Sequence, residues 1–482
     1  MDALTRDAED PRTYMEALLD AQRAAFEAEG KVVAETRIDR LSRAIRLLVD
    51  HADDLVAAMS RDFGNRPEPL SKFADIAHPI LQLKYARARV RKWLRPERRR
   101  LEFPLGLLGA RAAIHYQPLG VVGVVSPWNF PVVLTFGPLA GILAAGNRCM
   151  IKPSEHTPAT SALIDELVSR YFDPTVVAMV TGGAETGAAF TRLAFDHLLF
   201  TGSTGVARQV LKAAAENLVP VTLELGGKSP VIVGKGADLA EAAARVMAGK
   251  MMNAGQICLA PDYVFVPRDR MGDFLGACER AVSAMYPKLE GNPDYGAMIS
   301  ASHVERLRAY LADARRRRKE VRTVNPSGES FAQTARKLPL SLVIDPDDDN
   351  LVMTEEIFGP VLSLKPYDDI RDVVAFVNAR PRPLALYYFG GDRTEEAFVI
   401  ENTTSGGVTV NDVLAHVAVE DLPFGGVGAS GMGAYHGIHG FRRFSHAKSV
   451  FRQSRFNLAK MLGQVPPYGK RAETILSKLI KY

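Results

Sequence analysis

The sequence predicts an α/β protein with two doubly wound parallel-sheet domains. Residues 121–125 form a continuous apolar run, which is typical of a parallel strand covered on both faces. Strand-like and helix-like stretches then alternate along the chain, and the same alternation starts again after Glu224. At 482 residues the chain is also too long for one ordinary hydrophobic core, which favours two or three domains.

The first half of this alternation can be followed element by element. Residues 12–98 are predicted to be helical, because apolar residues recur there at helical spacing between charged ones. A further helix over residues 137–145 ends at Gly146, and the next begins with Thr157 as its N-cap and Pro158 in its first position. The strands predicted in this half are residues 121–125, 148–152, 176–180 and 197–200.

The second sheet is predicted from the strands that follow Glu224. A helix that ends at Met251 separates the first two of them. The predicted strands are residues 231–233, 263–266, 361–364 and 385–389. Glu224 therefore falls at the join between the two sheets and Cys258 near the start of the second, which places them on opposite sides of a cleft.

Composition and charge exclude several classes of protein. A hydrophobic fraction of 47% and a charged fraction of 24% are typical of a soluble globular chain. The net charge of +5 is mild, and the basic run at 315–319 lacks interleaved aromatic residues, so it is interpreted as a solvated helix face and no nucleic-acid partner is predicted. No run of roughly 18 apolar residues predicts a membrane span. Residues 1–7 lack the apolar region of a signal peptide, which together with the few cysteines predicts a cytoplasmic location.

Cys258 is the main candidate for a catalytic residue. It lies where an apolar stretch meets a turn that contains Gly255. Three cysteines in the whole chain predict neither a disulfide framework nor a Cys-rich metal site, and no metal is predicted. A thiolate attacks a carbonyl carbon far better than a hydroxyl does, so Cys258 is a candidate nucleophile. Cys149 and Cys278 lie in apolar runs and are interpreted as dispensable for catalysis.

Two polar residues accompany Cys258 as candidates. Glu224 stands between apolar neighbours, where a buried carboxylate is costly unless it is paired or has a catalytic role. Asn129 lies between Pro127 and Pro131, which fix the local backbone, and its amide is suited to donate to a developing oxyanion. Each residue alone also has a structural interpretation, as a capping or a turn residue. Together, nucleophile, carboxylate base and amide donor indicate covalent catalysis.

A phosphate site is predicted where the strand at 197–200 ends. No Gly-x-Gly-x-x-Gly fingerprint follows any early strand, which argues against the usual dinucleotide turn. Instead, Thr201 leads into small residues and a helix with Val206 and Val210 on one face. Exposed amides at the start of a helix form an anion site suited to a pyrophosphate. The residues of this predicted site are Gly202, Ser203, Thr204 and Gly205.

Six motifs in this order resemble the aldehyde dehydrogenase superfamily over residues 121–450. They are Pro127-Trp128-Asn129-Phe130-Pro131, Lys152-Pro153-Ser154-Glu155, Phe200-Thr201-Gly202-Ser203-Thr204, Glu224-Leu225-Gly226-Gly227-Lys228, Gly255-Gln256-Ile257-Cys258 and Glu356-Ile357-Phe358-Gly359-Pro360. Within the superfamily, residues 260–263 and 423–433 resemble the class 3 branch. Residues 62–66 and 466–469 resemble its bacterial coniferyl aldehyde dehydrogenases.

The resemblance implies NAD as the cofactor, with NADP also accepted. It places Lys152 and Glu155 against the adenine ribose, and Glu356 against the nicotinamide ribose with Phe358 beside it. The further cofactor contacts that the resemblance implies are Pro127, Trp128, Gly183, Gly187 and Leu225.

The resemblance also implies a division of the chain. Residues 1–100 and 117–225 correspond to an NAD(P)-binding domain and residues 226–427 to a catalytic domain. Residues 101–116 and 446–455 correspond to a small β oligomerisation hairpin and strand, which implies a homodimer. The tail at 456–482 is amphipathic and too polar for stable membrane insertion.

The function expected from these residues is NAD(P)-dependent oxidation of a small aldehyde to its carboxylic acid, with an aromatic aldehyde such as coniferyl aldehyde or a medium- to long-chain aliphatic one as substrate. Cys258 would form a thiohemiacetal and then a thioester that Glu224 hydrolyses, with Lys228 as an electrostatic helper. His416 and His436 are interpreted as structural or solvent-facing. Three alternatives stay open: transfer of the acyl group to coenzyme A, a semialdehyde substrate held by a cationic pocket, and a non-catalytic NAD-binding relative.

Overall fold

The computed structural model describes residues 11–103 and 105–481, and the predicted N-terminal segment at 1–7 lies outside them. The strands are β1 (Glu97–Arg99), β2 (Arg111–Pro118), β3 (Val121–Val125), β4 (Arg148–Lys152), β5 (Val177–Met179), β6 (His197–Thr201), β7 (Val221–Glu224), β8 (Ser229–Val233), β9 (Pro261–Pro267), β10 (Glu320–Val324), β11 (Leu340–Ile344), β12 (Val361–Tyr367), β13 (Ala385–Phe389), β14 (Gly407–Val410), β15 (Gly431–Met432) and β16 (Ser445–Arg452).

Helices cover both faces of the sheets, as the alternation predicts. The α-helices are α1 (Pro11–Glu29), α2 (Ala34–Asp50), α3 (Ala52–Phe63), α4 (Glu68–Leu70), α5 (His78–Trp93), α6 (Val133–Ala145), α7 (Pro158–Tyr171), α8 (Ala184–Phe190), α9 (Thr204–Ala215), α10 (Leu239–Met251), α11 (Met271–Met285), α12 (Ala301–Arg316), α13 (Leu351–Thr354), α14 (Ile370–Asn378), α15 (Arg393–Asn402), α16 (Gly437–Arg443), α17 (Leu458–Met461) and α18 (Lys470–Leu479). A π-helical segment, Ser71–Ala77, joins α4 to α5.

Two largely parallel sheets carry the core of the described chain and confirm the predicted fold class. The first has the strand order β15-β7-β6-β3-β4-β5, with only the short β15 antiparallel. The second has the order β10-β11-β12-β9-β8-β13-β14, with only β10 antiparallel. Residues 225–228 alone separate β7 of the first sheet from β8 of the second, so the end of β7 lies at the join.

A third, antiparallel sheet has the order β1-β2-β16. Its position matches the predicted oligomerisation element, but its bounds differ. The prediction began the hairpin at residue 101, whereas β1 precedes that point and β2 begins at Arg111. Part of the intervening segment forms a turn at Gly109, which has a φ of 94° that favours glycine. The functional division into cofactor-binding and catalytic domains stays a prediction.

Helix α7 begins as predicted, with Thr157 in the N-cap position and Pro158 first, whereas α6 begins earlier than predicted; distant carboxylates cap both helices. The side chain of Thr157 does not cap α7; the Asp62 carboxylate instead accepts from the amides of Ala159 and Thr160, at 2.9 and 2.8 Å. Helix α6 begins at Val133 rather than Gly137, and Asp75 accepts from the Val133 amide at 3.0 Å. A carboxylate at a helix N-terminus satisfies unpaired amides and complements the helix dipole.

The remaining differences concern exposed segments. Val206 was expected on the packed face of α9, but it is 51% exposed, and Ala207 lies on the buried face with Val210. In the tail, α17 and α18 lie mostly on the surface, with Leu479 and Ile480 exposed. No helix in the described part of the chain is long and apolar enough to cross a membrane.

Candidate active site

Cys258 lies in the loop between α10 and β9, in a backbone conformation that is tightly constrained. Asn253, Ala254 and Gly255 have φ values of 50°, 52° and 75°, a left-handed run that is rare outside functional loops. A Cβ atom on Gly255 would lie 2.4 Å from the carbonyl oxygen of Gly359, so only glycine fits there. The loop therefore presents the thiol in one fixed direction.

Gln256 locks this loop from within the core. Its side chain is fully buried and donates to the carbonyl oxygens of Asn253 at 2.9 Å and Ala297 at 3.1 Å. Its own oxygen accepts from the amide of Ile299 at 2.9 Å. These hydrogen bonds satisfy the buried amide of Gln256 and attach the loop next to Cys258 to residues of the core. We therefore expect the loop to be rigid.

Glu224 ends β7 and is only 3% exposed. Its backbone oxygen accepts from the amide of Gly202 at 3.0 Å, which fixes the strand end beside β6. Within the described ranges, no group hydrogen-bonds to either carboxylate oxygen. Burial raises the pKa of the Glu224 carboxyl well above its ordinary value, and the nearby amide of Gly426 only partly offsets this.

Cys258 and Glu224 border the same pocket, which has a volume of about 530 Å³. The aliphatic and aromatic side chains that form most of its wall are Leu70, Phe73, Phe130, Val133, Leu134, Met252, Ile257, Val413, Leu414, Val417 and Phe424. Burial, and next the negative charges of Glu224 and Glu356, raise the pKa of the Cys258 thiol. The pair is therefore a protonated thiol and a desolvated carboxyl in one apolar chamber.

Asn129 lies beside this pair but does not border the pocket. Its Nδ2 donates to the carbonyl oxygen of Gln256 at 3.2 Å, which leaves the second amide hydrogen for another acceptor. Its backbone oxygen accepts from Asn253 Nδ2 at 3.1 Å. The structure thus brings together the three predicted catalytic residues, with the Asn129 amide tied to the loop of Cys258.

The predicted pyrophosphate site is a helix start, as expected. Ser203 is the N-cap of α9 and its hydroxyl accepts from the amide of Val206 at 3.4 Å. Thr204 donates from Oγ1 to the carbonyl oxygen of Ala429 at 3.1 Å, so its hydroxyl is directed to the neighbouring loop. The space where Gly205 would carry a Cβ is open, which leaves room for a phosphate to approach.

The predicted adenosine contacts meet at the end of β4. Lys152 is buried, and its ammonium donates to Glu155 at 3.1 Å and to the carbonyl oxygen of Pro153 at 2.8 Å. The Glu155 side chain stays 40% exposed. Gly187 faces Lys152, since a Cβ there would be 3.7 Å from Cε, and Gly183 precedes α8 with open space around it. The charged pair of Lys152 and Glu155 therefore lies at the end of β4, with Gly187 next to it.

The predicted nicotinamide contacts lie across the join from these. A Cβ on Gly226 would be 2.2 Å from Glu356 Oε1, so the missing side chain admits this carboxylate beside Leu225. Desolvation raises the pKa of Glu356 to about 7. The rings of Trp128 and Phe358 meet edge to face at 5.5 Å, next to Pro127 in sequence. The open space at Gly183 and Gly205 and the helix start at Ser203 fit a dinucleotide.

Two residues have surroundings that differ from their sequence interpretation. Lys228, expected as an electrostatic helper, is bound to Asp262 and donates to the carbonyl oxygens of Val352 and Glu355, both at 2.9 Å. These bonds hold the loop before Glu356. His436, expected to be structural or solvent-facing, is buried on the pocket wall.

Comparisons with known proteins agree with this geometry. The model of the aldehyde dehydrogenase family matches residues 5–450. The chain belongs to the aldehyde dehydrogenase family. It is 53% identical to the probable coniferyl aldehyde dehydrogenase of Caulobacter vibrioides, over 98% of this chain and 97% of that protein. It is 50% identical to the coniferyl aldehyde dehydrogenase of a Pseudomonas species, over 96% of this chain and 95% of that protein.

Solved structures give the same result. The substrate-bound structure of Staphylococcus aureus AldH superposes with a TM-score of 0.89 and 34% identity, over 96% of this chain and 99% of that one. The protein is thus an enzyme that oxidises aldehydes to carboxylic acids with a nicotinamide cofactor.

This aldehyde dehydrogenase carries a buried ion pair that the sequence interpretation missed. Arg66 and Asp75 have fully buried side chains in contact with each other. Arg66 Nη1 donates to the backbone oxygen of Asn129 at 2.7 Å, and Asp75 accepts from the amide of Val132 at 3.1 Å. The guanidinium also lies 4.8 Å from the centre of the Phe130 ring. The pair therefore clamps both ends of the segment that carries Asn129.

We expect Arg66→Met to reduce the free energy of unfolding by about 3–5 kcal/mol, because it leaves the Asp75 carboxylate buried without its partner. Arg43→Met is a matched control, since Arg43 pairs with Asp39 on the surface, and should cost less than about 1 kcal/mol. Chemical denaturation of both variants measures this. Equal losses of unfolding free energy in the two variants would show that burial does not determine how much the Arg66–Asp75 pair contributes to stability.

Proposed function

We propose that this enzyme oxidises an aromatic aldehyde of the coniferyl type, with NAD, by covalent catalysis at Cys258. The observation that carries the proposal is the placement of Cys258 and Glu224 in one apolar pocket lined by aromatic side chains. The names of the two relatives at 53% and 50% identity support the substrate class.

The first step is addition of Cys258 to the aldehyde carbon. The sulfur of Cys258 bonds to the aldehyde carbon as the thiol proton passes to solvent and the carbonyl π electrons move onto the oxygen, so this step does not use Glu224. The new oxyanion accepts from the free hydrogen of Asn129 Nδ2 and from the backbone amide of Cys258. Such a donor contributes roughly 3–4 kcal/mol to stabilisation of the transition state.

The second half of the reaction releases the acid. A nicotinamide held by Glu356 would supply the hydride acceptor, so that the thiohemiacetal carbon would be oxidised to a thioester of Cys258. Glu224 then takes a proton from water, the resulting hydroxide adds to the thioester carbonyl, and the carboxylic acid leaves as the sulfur regains its proton. A carboxyl with a raised pKa suits this role, since a general base is most effective when its pKa lies near the operating pH.

The cofactor is proposed to bind along the groove that joins the two sheets. The α9 start at Gly202, Ser203, Thr204 and Gly205 would hold the pyrophosphate. Lys152 and Glu155 would face the adenine ribose beside Gly183 and Gly187. Glu356 would hold the nicotinamide ribose. The remaining proposed contacts are Pro127, Trp128, Leu225 and Phe358.

The pocket favours an uncharged substrate over the alternatives. A semialdehyde requires a cation for its distal carboxylate, but the cation on the pocket wall, Arg245, already pairs with Glu241 at 2.6 Å. Glu224, unpaired beside Cys258, is suited to activate water, which favours hydrolysis over transfer to coenzyme A. We also propose a homodimer that forms through the sheet of β1, β2 and β16, because β16 is a mostly exposed edge strand of that sheet.

The proposed substrate class predicts a ranking of rates. Coniferyl aldehyde should have a higher kcat/KM with NAD than either benzaldehyde or a medium-chain aliphatic aldehyde, because the aromatic walls bury a larger ring system. Added coenzyme A should not change the rate. A clear preference for the aliphatic aldehyde, or dependence on coenzyme A, would contradict the proposal.

Replacing Cys258 with Ala should abolish turnover while NAD binding, measured by fluorescence titration, persists, because hydride transfer requires the covalent adduct. Cys149→Ala and Cys278→Ala are the controls, since both residues are fully buried in the core. Substantial turnover by the Cys258 variant would show that Cys258 is not the nucleophile.

Glu224→Gln should form about one equivalent of NADH quickly and then turn over slowly, because an amide cannot take a proton from water. In the wild type, kcat should rise with pH through a value above the ordinary carboxyl pKa of 4.5, since burial raises the Glu224 pKa and the base must be ionised. Stopped-flow absorbance measures both effects, with the exposed Glu216→Gln as control. Normal steady-state rates in the Glu224 variant would exclude Glu224 as the general base that activates water.

The cofactor preference should depend on Glu155. A carboxylate at the adenine ribose accepts from a 2′-hydroxyl and repels a 2′-phosphate, while Lys152 partly offsets the repulsion. We expect NAD to exceed NADP in kcat/KM, and Glu155→Gln to narrow the gap chiefly by improving NADP. Glu166→Gln, which removes a surface carboxylate paired with Arg170, is the control. An unchanged ratio in the Glu155 variant would show that this residue does not contact the ribose.

A further inference from the structure

The apolar substrate pocket has one polar flank. His78 and Gln82 of α5 and His436, which immediately precedes α16, border the pocket there. Glu420 lies directly behind them, with its side chain 12% exposed. Polar groups on an apolar wall cost free energy unless they bind a partner. This polar flank has no part in the steps assigned to Cys258 and Glu224.

His436 is held in an orientation that leaves one ring nitrogen available. Its Nε2 is 3.0 Å from Gln82 Nε2. Because an amide nitrogen only donates, His436 Nε2 accepts and Nδ1 carries the hydrogen. The nearest carboxylate oxygen to that nitrogen, Glu420 Oε1, is 3.8 Å away, beyond hydrogen-bond distance. Burial lowers the pKa of His436 to about 3, so the ring is neutral.

Three buried polar atoms of this flank lack partners among the residues of 11–103 and 105–481. They are His436 Nδ1, Gln82 Oε1 and Glu420 Oε1. They therefore comprise one donor and two acceptors. A set of this kind matches a hydroxyl group, which both donates and accepts, better than an ether or carbonyl oxygen, which only accepts.

These residues also surround a small side chamber next to the main pocket. Its volume is about 10 Å³, and it shares Gln82, Tyr435 and His436 with the main pocket. Space of this order admits roughly one oxygen-sized group. Gly137 keeps it open, since a Cβ there would lie 2.5 Å from Gln82 Oε1.

The backbone at His436 shows that this placement is imposed by its surroundings. His436 has a φ of 91°, in a region that side-chain-bearing residues rarely adopt. Its ring stacks on Phe424 with centroids 5.1 Å apart, and Phe424 itself borders the main pocket. Strain of this kind persists where neighbouring structure holds the residue, and it is common at ligand sites.

We propose that Gln82 and His436, backed by Glu420, form a subsite for a hydroxyl group on the ring of the aromatic substrate. The hydroxyl reaches the side chamber directly or through one bridging water. The inference rests on the proposed oxidation of aromatic aldehydes and adds to it the recognition of a phenol. The ring lies against Phe424, and the aldehyde group extends towards Cys258.

The test compares coniferyl aldehyde, which carries a ring hydroxyl and a methoxy group, with 3-methoxycinnamaldehyde, which lacks only the hydroxyl. In the wild type, kcat/KM should favour coniferyl aldehyde by at least about 10-fold, since a site built for a hydroxyl discriminates against the analogue without one. Gln82→Met keeps the side-chain length but removes its polar atoms, and should reduce this ratio to near one. Lys84→Met, an exposed change on the same helix, should leave the ratio unchanged.

A second variant tests the subsite in case Gln82→Met fails to fold. Glu420→Gln preserves volume but replaces an acceptor with an amide, and should also lower the ratio. The O-methyl ether of coniferyl aldehyde, 3,4-dimethoxycinnamaldehyde, separates the two modes of contact. Direct entry of the hydroxyl excludes the added methyl, so the kcat/KM of this ether falls below that of 3-methoxycinnamaldehyde, whereas a bridging water retains part of the preference.

The outcomes separate this inference from the function on which it rests. If the wild type oxidises neither aromatic aldehyde, the proposed function itself fails. If it oxidises both with equal kcat/KM, the function stands and the hydroxyl subsite is overturned. Equal losses for both substrates in Gln82→Met and Glu420→Gln would likewise assign these residues a purely structural role.

Discussion

The burial of the unpaired Glu224 carboxyl next to Cys258 is the constraint on which the rest of this structure depends. A carboxylate removed from water, with only the Gly426 amide to offset the loss, gives up several kcal/mol of solvation and holds its proton more tightly. That cost serves no purpose in packing, since an apolar residue would fill the same space. The proposed role of Glu224 in activating water accounts for this cost.

The fold meets this constraint by joining two sheets through a very short link. β7 ends at Glu224 and β8 begins at Ser229, so Glu224 lies where the sheets meet. Cys258 comes from a loop of the second sheet, and Gln256 ties that loop to the core. Neither sheet alone contains both groups. The candidate site therefore exists only where the two sheets meet. The proposed cofactor site also lies along this join and extends to Cys258 and Glu224.

Two charged pairs hold the loops around the join, and each pair fixes a different segment. Arg66 and Asp75 fix both ends of the Asn129 segment. Lys228 and Asp262 fix the loop that leads to Glu356, with Asp262 also accepting from the amide of Ile357 at 2.9 Å. In each case the charge is satisfied by backbone groups as well as by its partner, which is the condition under which a buried ion pair is tolerated.

Features that depend on periodicity and local motifs could be predicted from the sequence. Features that depend on contacts between residues far apart in the chain could not. The strands around Val121–Val125 and the placement of Glu224 at the join follow from apolar runs and chain order. The caps from Asp62 and Asp75 could not be predicted, because each carboxylate reaches a helix more than 50 positions away along the chain. The position of His436 on the pocket wall was not predicted, because nothing local shows that Gln82, 354 residues away, would hold it there.

The most direct measurement of the central claim is the mass of the covalent intermediate. Glu224→Gln, mixed with coniferyl aldehyde and NAD and quenched in acid after a single turnover, should carry one acyl group. Peptide mass spectrometry should then locate that group on Cys258. An unmodified Cys258 after NADH has formed, or an acyl group on Cys149 or Cys278, would contradict this account of the site.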